Sequence, residues 1–539
     1  PGTAGRGGRG PGRPRLGKPE VAVLAAKAVM VQGTTSHAGK SVLCTALCRI
    51  FRQDGFRVAP FKAQNMSLNA YVTADGGEIG RAQGVQAEAA GVEATVDMNP
   101  ILLKPKGDTV SQVVLRGRPW ADVRAADYRN GRLVPLWEAV QESFARLAAD
   151  HDLIVIEGAG SPAEVNLRGR DLANMRVAAL AEAPVILVAD IDRGGVFASL
   201  VGTLELLEPE ERRRVRGLVI NKFRGDEGLL EPGLGFLEAR TGCAVLGVLP
   251  YLADLGIEPE DSVSLAEWRV NPCAELDLAV VRLPYIANFT DFEPFRGEPD
   301  VAVRYVVHPA SLGRPDALFL PGTKNTTRDL LYLYESGWAE AIADFAARGG
   351  PVVGICGGYQ MLGREVHDPV GSEEGVPFVA GLGLLDTVTV FRPGKVTRRT
   401  AATVVAGAGP LSDVRGEGVC GYEIHAGETV AGPGVGPVFV YSDGTPEGAL
   451  NREGTVWGTY LHGLFEADGF RRGWLNALRR RRGLAPLPAR FSFATAKEEA
   501  FDRLAVVVRR RLRLDLVYGW LGLSPAGAAG GEAATAPRR

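Results

Sequence analysis

The sequence is poor in the features that mark secreted, zinc-binding or membrane proteins. Its 539 residues include only six cysteines, and these form no Cys-x-x-Cys pair and no cluster with histidine at a zinc spacing. It also lacks an apolar run of about 18 residues, the length that a membrane-spanning helix needs. These absences exclude a disulfide framework and a zinc module, and we expect a cytoplasmic protein with no membrane insertion.

The sequence has no excess of charge of either sign. It contains 61 Lys and Arg against 63 Asp and Glu, which gives a net charge of -2. Because a nucleic-acid-binding domain usually carries a basic face, we expect no nucleic-acid partner and a small-molecule substrate instead. At roughly 150 residues per domain, the length predicts two to four domains and leaves the oligomeric state open.

Most of the chain alternates strand-like and helix-like segments. Between residues 28 and 253 the predicted strands are AVMVQ, RVAPF, DLIVIEG, PVILVAD, GLVINK and AVLGVLP. This alternation predicts a parallel sheet covered by helices, whose ligands bind at the carboxyl ends of the strands. The acidic residues 254–275 are predicted to be a linker. A second α/β domain with a helical, Arg-rich C-terminal extension is predicted over 276–523, so the fold class is α/β with two domains.

The two ends of the chain have compositions that do not build a core. Residues 1–27 are rich in Gly, Pro and Arg near their start, and residues 524–539 are rich in Ala and Gly. Residues 1–20 have no apolar segment of the kind that a signal peptide needs. We expect both ends to be disordered tails.

The segment GTTSHAGKS, residues 33–41, suggests a phosphate-binding loop between a strand and a helix. Such a loop needs backbone N-H groups, a lysine for the terminal phosphates and a hydroxyl for the metal. The usual spacing is four residues between the glycines, whereas five separate Gly33 from Gly39. The ATP-binding residues predicted here are Gly33, Thr34, Ser36, Gly39, Lys40 and Ser41, and His37 has no assigned role.

Acidic residues end two other predicted strands of the same sheet. Glu157 ends DLIVIE, and Asp190 and Asp192 follow PVILVA. A carboxylate in this position holds Mg²⁺ in many P-loop enzymes, directly or through water. The combination predicts a site for ATP and Mg²⁺, with Ser41 and Glu157 at the metal.

A cysteine at a strand-to-helix turn suggests a second site. In PVVGICGGYQML an apolar strand runs into Cys356, which is followed by two glycines and a helical segment. A sharp turn of this kind exposes a nucleophile to helix N-H groups that can stabilise an oxyanion. The base is predicted to be His462, which follows another apolar strand, and the rival is His425. Backbone N-H groups of Gly357 and Thr323 are the predicted oxyanion donors.

Several motifs resemble known families. GTTSHAGKS is similar to the variant loop of dethiobiotin synthetase-like ATPases, which has the five-residue spacing. FKAQNMSLNAYVTADGGEIGRAQ (61–83), NPILLKP, EGAGSPAEVNL, DIDRGGVFASLVGT and INKFRGD resemble the cobyric acid synthase family of glutamine-dependent enzymes. FLPGTKNT and GICGGYQM are similar to class I glutamine amidotransferases.

This resemblance implies roles for further residues. It places Lys62, Gln64, Asn65, Asn69 and Asp192 at the substrate or the transferred phosphoryl group, and it makes Glu78 a second candidate for the metal. Asn221 is expected to contact the adenine. Most class I amidotransferases have a glutamate two residues after the histidine, but this sequence has Leu464 there. Glu466 or a backbone carbonyl would have to orient the imidazole, so the third member of the site is left unassigned.

The implied function is an amidation driven by ATP and L-glutamine. The resemblance names adenosylcobyrinic acid a,c-diamide as the substrate and its b, d, e and g carboxylates as the amidated positions. Alternatives are a cobyrinic acid a,c-diamide synthase or another glutamine-dependent amidoligase. A partitioning-type ATPase switch would explain the first site but gives Cys356 no purpose.

Overall fold

The computed structural model describes residues 26–107, 110–124, 133–253, 255–258, 260, 265, 271–373 and 375–525. The predicted tails, 1–27 and 524–539, lie outside these ranges except for their innermost two residues at each end. In this part of the chain no helix is long and apolar enough to cross a membrane.

The first domain contains twelve strands and seven helices among its described residues. The strands are β1 (Lys27–Gly33), β2 (Val58–Phe61), β3 (Gln64–Met66), β4 (Ala70–Val72), β5 (Glu78–Gly80), β6 (Ile101–Pro105), β7 (Val110–Leu115), β8 (Arg118–Arg124), β9 (Leu153–Glu157), β10 (Val185–Asp190), β11 (Val215–Phe223) and β12 (Ala244–Pro250). The helices are α1 (Lys40–Gln53), α2 (Arg81–Ala90), α3 (Leu133–Asp150), α4 (Met175–Leu180), α5 (Val196–Leu206), α6 (Pro209–Arg214) and α7 (Glu231–Thr241).

The six strands predicted for this domain form one parallel sheet in the order β12-β11-β10-β1-β9-β2. Their β-branched runs are buried because helices cover both faces. β1 lies between β9 and β10, with Val31 opposite Glu157 and Gly33 opposite Val188. The carboxyl ends of these three strands therefore meet at one edge, as the sequence predicted.

A smaller β-structure follows β2 and carries the KAQNMSLN block. Strands β3, β6, β7 and β8 form a four-stranded sheet, and β4 pairs with β5. The strands are short, and their sequence did not predict this insertion. It projects the block towards the second domain, since the backbone N-H of Ala70 donates to Asn288 Oδ1 at 2.9 Å.

The second domain contains thirteen strands and four of the remaining helices. The strands are β13 (Leu276–Val281), β14 (Val301–Val306), β15 (Ala317–Leu320), β16 (Val352–Ile355), β17 (Glu365–His367), β18 (Phe378–Ala380), β19 (Thr387–Val404), β20 (Gly418–Ala431), β21 (Val435–Gly436), β22 (Phe439–Tyr441), β23 (Pro446–Glu447), β24 (Ala449–Asn451) and β25 (Val456–Thr459). The helices are α8 (Thr326–Glu335), α9 (Trp338–Ala347), α10 (Gly357–Leu362) and α11 (Asp468–Arg481), and two more follow, α12 (Phe493–Arg511) and α13 (Leu514–Leu521).

The main sheet of the second domain has the order β14-β13-β15-β16-β25-β24-β21, and β13 to β16 and β25 run parallel. A second sheet contains the long hairpin of β19 and β20. The fold class predicted from sequence, two α/β domains built on parallel sheets, is confirmed.

The last two helices pack on the first domain, although the sequence assigned residues 276–523 to the second. Phe501, Leu504 and Val508 of α12 share an apolar cluster with Leu43 and Leu47 of α1. Ion pairs extend the contact from Arg49 to Glu498 and Asp502, and from Arg509 to Asp54. The chain therefore returns to the first domain after completing the second, so the predicted boundary does not describe the packing.

The long hairpin makes a second contact between the domains. Tyr422 and Ile424 of β20 form a small apolar cluster with Ala70 and Val72 of β4. Arg399 on β19 donates from its Nε to the Val72 carbonyl oxygen at 2.7 Å. The segment that follows the KAQNMSLN block is thus held directly against the second domain.

We predict that the packing of α12 stabilises the first domain. Leu504 is 1% exposed and Val506, on the same helix, is 44% exposed. Leu504→Ala should lower the free energy of unfolding by about 3 kcal/mol because it leaves a cavity against α1, whereas Val506→Ala should change it by less than about 0.5 kcal/mol. Urea unfolding of both variants measures this difference, and equal effects would contradict the assignment.

Candidate active sites

The predicted phosphate-binding loop connects β1 to α1 in the described structure. Gly39 has φ +102° and α1 begins at the next residue, Lys40. A Cβ atom at position 39 would lie 1.9 Å from Asn221 Nδ2. Only glycine fits this turn, which leaves the first N-H groups of α1 facing the loop as an anion site.

Lys40 lies over this loop. Its Nζ donates to the carbonyl oxygens of Thr35, at 3.0 Å, and Gly160, at 3.2 Å. Burial lowers the pKa of Lys40, although the Glu157 carboxylate opposes the shift. Ser36, Gly39, Lys40 and Ser41 line one cavity of about 560 Å³, within the size range of small-molecule pockets. Gly33 ends β1, and the Thr34 N-H donates to the Val188 carbonyl oxygen at 2.9 Å.

Two carboxylates converge on the loop hydroxyl and on a lysine. Ser41 Oγ lies 2.8 Å from Glu157 Oε1 and 2.8 Å from Glu260 Oε2. Lys62 Nζ contacts the same two side chains, at 2.8 Å from Glu157 Oε1 and 2.6 Å from Glu260 Oε1. Burial disfavours the charge on Lys62, but these carboxylates outweigh it and raise its pKa. The structure therefore brings Lys62, Ser41 and Glu157 together as predicted from the sequence.

Glu260 was missed because it lies in the segment predicted to be a linker. Burial would raise the pKa of its carboxyl group, but Lys62 outweighs this and lowers the pKa to about 2. The segment is fixed at this point, since Ser67 Oγ donates to the Glu260 carbonyl oxygen at 3.1 Å. An acidic run without secondary-structure periodicity gave no signal that one of its carboxylates faces the phosphate-binding loop.

The residues predicted for the substrate lie in two neighbouring cavities. Asn65 lines the same cavity as Lys40, and its Nδ2 donates to Gln83 Oε1 at 3.0 Å. Asn69 is buried and lines a smaller cavity of about 160 Å³ with Met66 and Ser67. Gln64 is half-buried at the start of β3. The block thus forms one wall of the space next to the loop.

Three other predicted residues have different surroundings. Asn221 Nδ2 donates to the Ala38 carbonyl oxygen at 2.8 Å, so this amide group supports the loop from behind. Asp192 is exposed and pairs with Arg224 at 2.9 Å. Glu78 lies apart from the loop, and its carboxylate contacts the ammonium groups of Lys104 and, at 2.5 Å, Lys395. With two lysines on its oxygens, Glu78 does not fit a metal ligand, and that expectation is corrected.

Cys356 occupies the sharp turn between β16 and α10. Its backbone has φ +53° and ψ -108°, a conformation that non-glycine residues rarely adopt. The turn is held by the Cys356 N-H, which donates to the Thr459 carbonyl oxygen at 2.7 Å. A Cβ atom at Gly358 would lie 1.9 Å from the Leu320 carbonyl oxygen. Close packing therefore maintains a strained turn of the type that presents nucleophiles.

His462 is completely buried, and its Nε2 lies 3.4 Å from Asn288 Nδ2, which lines the cavity of Cys356. Its Nδ1 donates to Asp291 Oδ2 at 2.7 Å, and the Gly463 N-H donates to Asp291 Oδ1 at 2.8 Å. Asp291 is the third member that the sequence left unassigned. It follows β13, whose carboxyl end lies at the same sheet edge as Cys356, but it lies 171 residues before His462.

The protonation state of the His462 imidazole follows from the groups around it. Burial lowers the pKa of His462, but the carboxylate of Asp291 and the contact with Cys356 outweigh it and raise the pKa to about 10. A protonated imidazole next to a cysteine stabilises a thiolate nucleophile. Glu466, one of the two orienting groups considered for this position, instead approaches Arg81 at 3.5 Å.

The remaining predicted groups surround the same cysteine. A Cβ atom at Gly357 would lie 3.2 Å from the Thr323 backbone nitrogen, so these two residues lie side by side next to Cys356. His425 Nδ1 contacts the Gly427 carbonyl oxygen at 2.8 Å, and its ring stacks on Tyr460 with 3.7 Å between ring centroids. His425 is held in the wall of the cavity that contains Cys356.

Comparison with known proteins matches both domains. Residues 29–265 match the CobQ/CobB/MinD/ParA nucleotide binding domain, and residues 277–470 match the CobB/CobQ-like glutamine amidotransferase domain. The chain is 56% identical over 510 residues to the cobyric acid synthase of Pelotomaculum thermopropionicum, covering 92% of this chain and 97% of the relative. The chain belongs to the cobyric acid synthase family. The cobyric acid synthase of Desulforamulus reducens is 53% identical, over 92% of this chain and 98% of the relative. That of Nostoc sp. is 52% identical, over 91% of this chain and 99% of the relative.

Membership in this family confirms the enzyme class predicted from the motifs. The protein is a glutamine-hydrolysing amidoligase of cobalamin biosynthesis, with a nucleotide-binding domain joined to a glutamine amidotransferase domain. A partitioning-type ATPase switch is excluded as the function of the whole chain, because it leaves the second domain unexplained.

We predict that Asp291 orients the imidazole of His462 for catalysis and stabilises its protonated form. Asp291→Asn should lower kcat for glutamine hydrolysis by about 100-fold because it removes the carboxylate that orients the imidazole. The pKa of His462 should also fall, which moves the corresponding limb of the pH–rate profile to lower pH.

The matched control is Glu466→Gln, which removes the other carboxylate considered for this role. It should leave glutamine hydrolysis within about threefold of the unmodified enzyme, since its side chain faces Arg81. The reverse ranking of the two variants would contradict the role of Asp291.

Proposed function

We propose that the enzyme amidates the b, d, e and g carboxylates of adenosylcobyrinic acid a,c-diamide, using ATP and L-glutamine. The observation that carries this proposal is the presence of two different sites in one chain: the Lys40–Ser41 loop with two carboxylates, and Cys356 with a buried His–Asp pair. A carboxylate and ammonia do not condense without activation, so an amidoligase needs both a source of ammonia and an activating site.

In the second domain, Cys356 attacks the carboxamide carbon of glutamine. His462 gives a proton to the departing ammonia, and Asp291 holds the imidazole in position through its Nδ1. The N-H groups of Gly357 and Thr323 stabilise the oxyanion of the tetrahedral intermediate. Water then releases glutamate from the thioester, with His462 accepting its proton.

In the first domain, a substrate carboxylate attacks the γ-phosphoryl group of ATP. The N-H groups at the start of α1 and the Lys40 ammonium group bind the phosphates. Lys62 lies beside the loop and neutralises charge on the carboxylate or the transferred phosphoryl group. Ammonia from the second domain displaces phosphate from the resulting acyl phosphate, which yields the amide.

We propose Mg²⁺ as the metal that accompanies ATP, and the donor set fits this ion. Ser41 Oγ faces a carboxylate oxygen on each side. One hydroxyl proton can serve only one of them, so three hard oxygen donors converge on one point. The described residues contain no cluster of three or more His, Cys, Asp or Glu side chains that could hold a metal. Mg²⁺ commonly binds through one or two carboxylates together with substrate phosphates, and Glu157 and Glu260 would supply the carboxylates here.

The corrinoid is placed at the wall formed by the KAQNMSLN block. Asn65 lines the ATP cavity, Asn69 lines the smaller cavity beside it, and Met66 between them is 61% exposed. An exposed apolar side chain between amide groups suits an amphipathic ring that carries carboxylate and amide arms. Each arm enters the site in turn, so the substrate reorients between amidations. We place the reaction in the cytoplasm, where ATP and glutamine are supplied.

Product mass tests the substrate and the source of nitrogen together. With ATP, magnesium, glutamine and the a,c-diamide, we expect four new amides. Cys356→Ala should lose amidation with glutamine but keep it with ammonium salts, because only the ammonia source is removed. Cys420→Ala, at an exposed cysteine of the same domain, is the control and should behave like the unmodified enzyme.

Two outcomes of this experiment would contradict the proposal. No new amide on the a,c-diamide, together with two amides added to cobyrinic acid supplied in its place, would instead identify an a,c-diamide synthase. If Cys356→Ala still amidated the substrate normally with glutamine, the second site would have no role in the reaction.

We also predict that Glu260 contributes to metal-dependent binding of ATP. Glu260→Gln should weaken the affinity for magnesium in the ATP complex by about tenfold because one of two carboxylates at Ser41 is removed. Calorimetric titration of the ATP complex with magnesium measures this without turnover. Glu210→Gln, with a side chain that is 84% exposed on α6, is the control, and equal affinities in both variants would refute the role.

A further inference from the structure

The cavity above Cys356 is enclosed by both domains. It has a volume of about 250 Å³, and its wall includes Cys356, Thr323 and Lys324 from the second domain. Lys104 and Gln112 from the small sheet of the first domain complete it. The space next to the nucleophile is therefore not formed by the amidotransferase domain alone.

Lysines dominate the charge of this cavity. The four lysines in its wall are Lys104, Lys106, Lys324 and Lys395. Three of them have carboxylate partners: Glu78 contacts Lys104 and Lys395, and Asp122 contacts Lys106. Within the described part of the chain Lys324 makes no ion pair within 4.0 Å. Of the four lysines in the wall, Lys324 is thus the one with no carboxylate oxygen within 4.0 Å among the described residues, and Glu373 acts on it only from a longer distance.

The surroundings of Lys324 destabilise its protonated form when no anion is bound. Burial lowers the pKa of Lys324 to about 7, and the ammonium groups of Lys104 and Lys395 contribute to the shift. Lys395 is affected in the same way, and burial lowers its pKa to about 8 although Glu78 opposes the change. A bound anion would relieve this repulsion, so the cavity has the electrostatics of a carboxylate site.

A carboxylate lies in the same wall. Glu373 Oε2 accepts a hydrogen bond from the Thr327 N-H at 3.1 Å, and Glu373 lines the cavity with Lys324. Burial raises the pKa of Glu373, while Lys324 opposes that shift. A cation bound next to Glu373 would stabilise its charged form. Together the two side chains match a ligand that carries both an anionic and a cationic group.

We propose that this cavity is the site for the amino-acid end of glutamine, with Lys324 binding the α-carboxylate and Glu373 binding the α-ammonium group. The inference rests on the glutaminase function proposed above and names its specificity residues. Lys324 directly follows Thr323, a predicted oxyanion donor. The carboxamide carbon and the α-carboxylate of glutamine are separated by about 5 Å in an extended side chain, which suits neighbouring residues of the wall.

The same arrangement gives the first domain a part in glutamine binding. Glu78 and Lys104 lie on β5 and β6, and Glu78 joins Lys104 to Lys395 of the long hairpin. Lys104 is a positioning residue, since its charge acts on Lys324 from across the domain boundary. Glutamine therefore binds to a pocket whose wall includes residues of both domains.

Substrate analogues test the two contacts separately. 4-Aminobutanamide keeps the amide and the amine but lacks the carboxylate, and glutaramic acid lacks the amine. The unmodified enzyme should hydrolyse glutamine with a kcat/KM at least about 100-fold above both analogues, because each analogue leaves one charged group of the wall unpaired. If it hydrolyses 4-aminobutanamide as efficiently as glutamine, the inference is overturned whatever the variants do.

Two variants assign the contacts to residues. Lys324→Met should raise KM for glutamine about 30-fold and remove the preference over 4-aminobutanamide, while the preference over glutaramic acid stays. Glu373→Gln should show the opposite pattern. Lys27→Met, at the exposed start of β1, is the control for loss of a lysine and should keep both preferences.

Amidation with ammonium salts separates this inference from the proposed function. It should proceed in all variants, since the activating site is untouched. Absence of glutamine hydrolysis in the unmodified enzyme would refute the glutaminase itself. An unchanged KM for glutamine in Lys324→Met would refute the role of Lys324. So would a variant that loses amidation with ammonium salts as well as amidation with glutamine.

Discussion

Both sites depend on the same constraint, a sharp turn from the carboxyl end of a central parallel strand into a helix. In the first domain the turn needs Gly39 in the left-handed region, and in the second it places Cys356 there despite its side chain. Parallel neighbours then bring polar groups to the same edge, Glu157 from β9 in one domain and Asp291 after β13 in the other. The helix N-H groups at each turn suit an anion, which in the proposed function is a phosphate in the first site and an oxyanion in the second.

The elements that follow a local pattern could be predicted from the sequence. The six strands of the first sheet, the loop from Gly33 to Ser41 and the cysteine turn all have short-range signals, namely β-branched runs and glycines at fixed positions. Asp291 and Glu260 have no such short-range signal in the sequence. Asp291 lies in a short 3-10 helix, Phe289–Gly297, and Glu260 in irregular backbone. Each is far along the chain from its partner, and only the folded sheet edges bring them to His462 and Ser41. The packing of α12 is equally long-range, because Asp502 on α12 lies 453 residues after its partner Arg49 on α1.

Buried charge joins the two domains where their sites face each other. Glu78 is fully buried between Lys104 and Lys395, and the pKa of its carboxyl group is about 2, because the two lysines outweigh the effect of burial. Such a cluster gains little stability over an apolar contact, but it is strongly destabilised when one member is missing. It therefore favours one relative arrangement of the domains. Cys356 and the loop of Lys40 and Ser41 are then held in a fixed relation to each other.

The return of the chain to the first domain affects how the protein is made. Helices α12 and α13 complete an apolar cluster whose other members, on α1 and the central sheet, lie near the start of the chain. Domains usually fold in order as they leave the ribosome. Here the earliest part of the chain presents an open apolar surface until nearly all of the rest has been synthesised. The apolar cluster of the first domain is therefore completed only after the second domain has been synthesised.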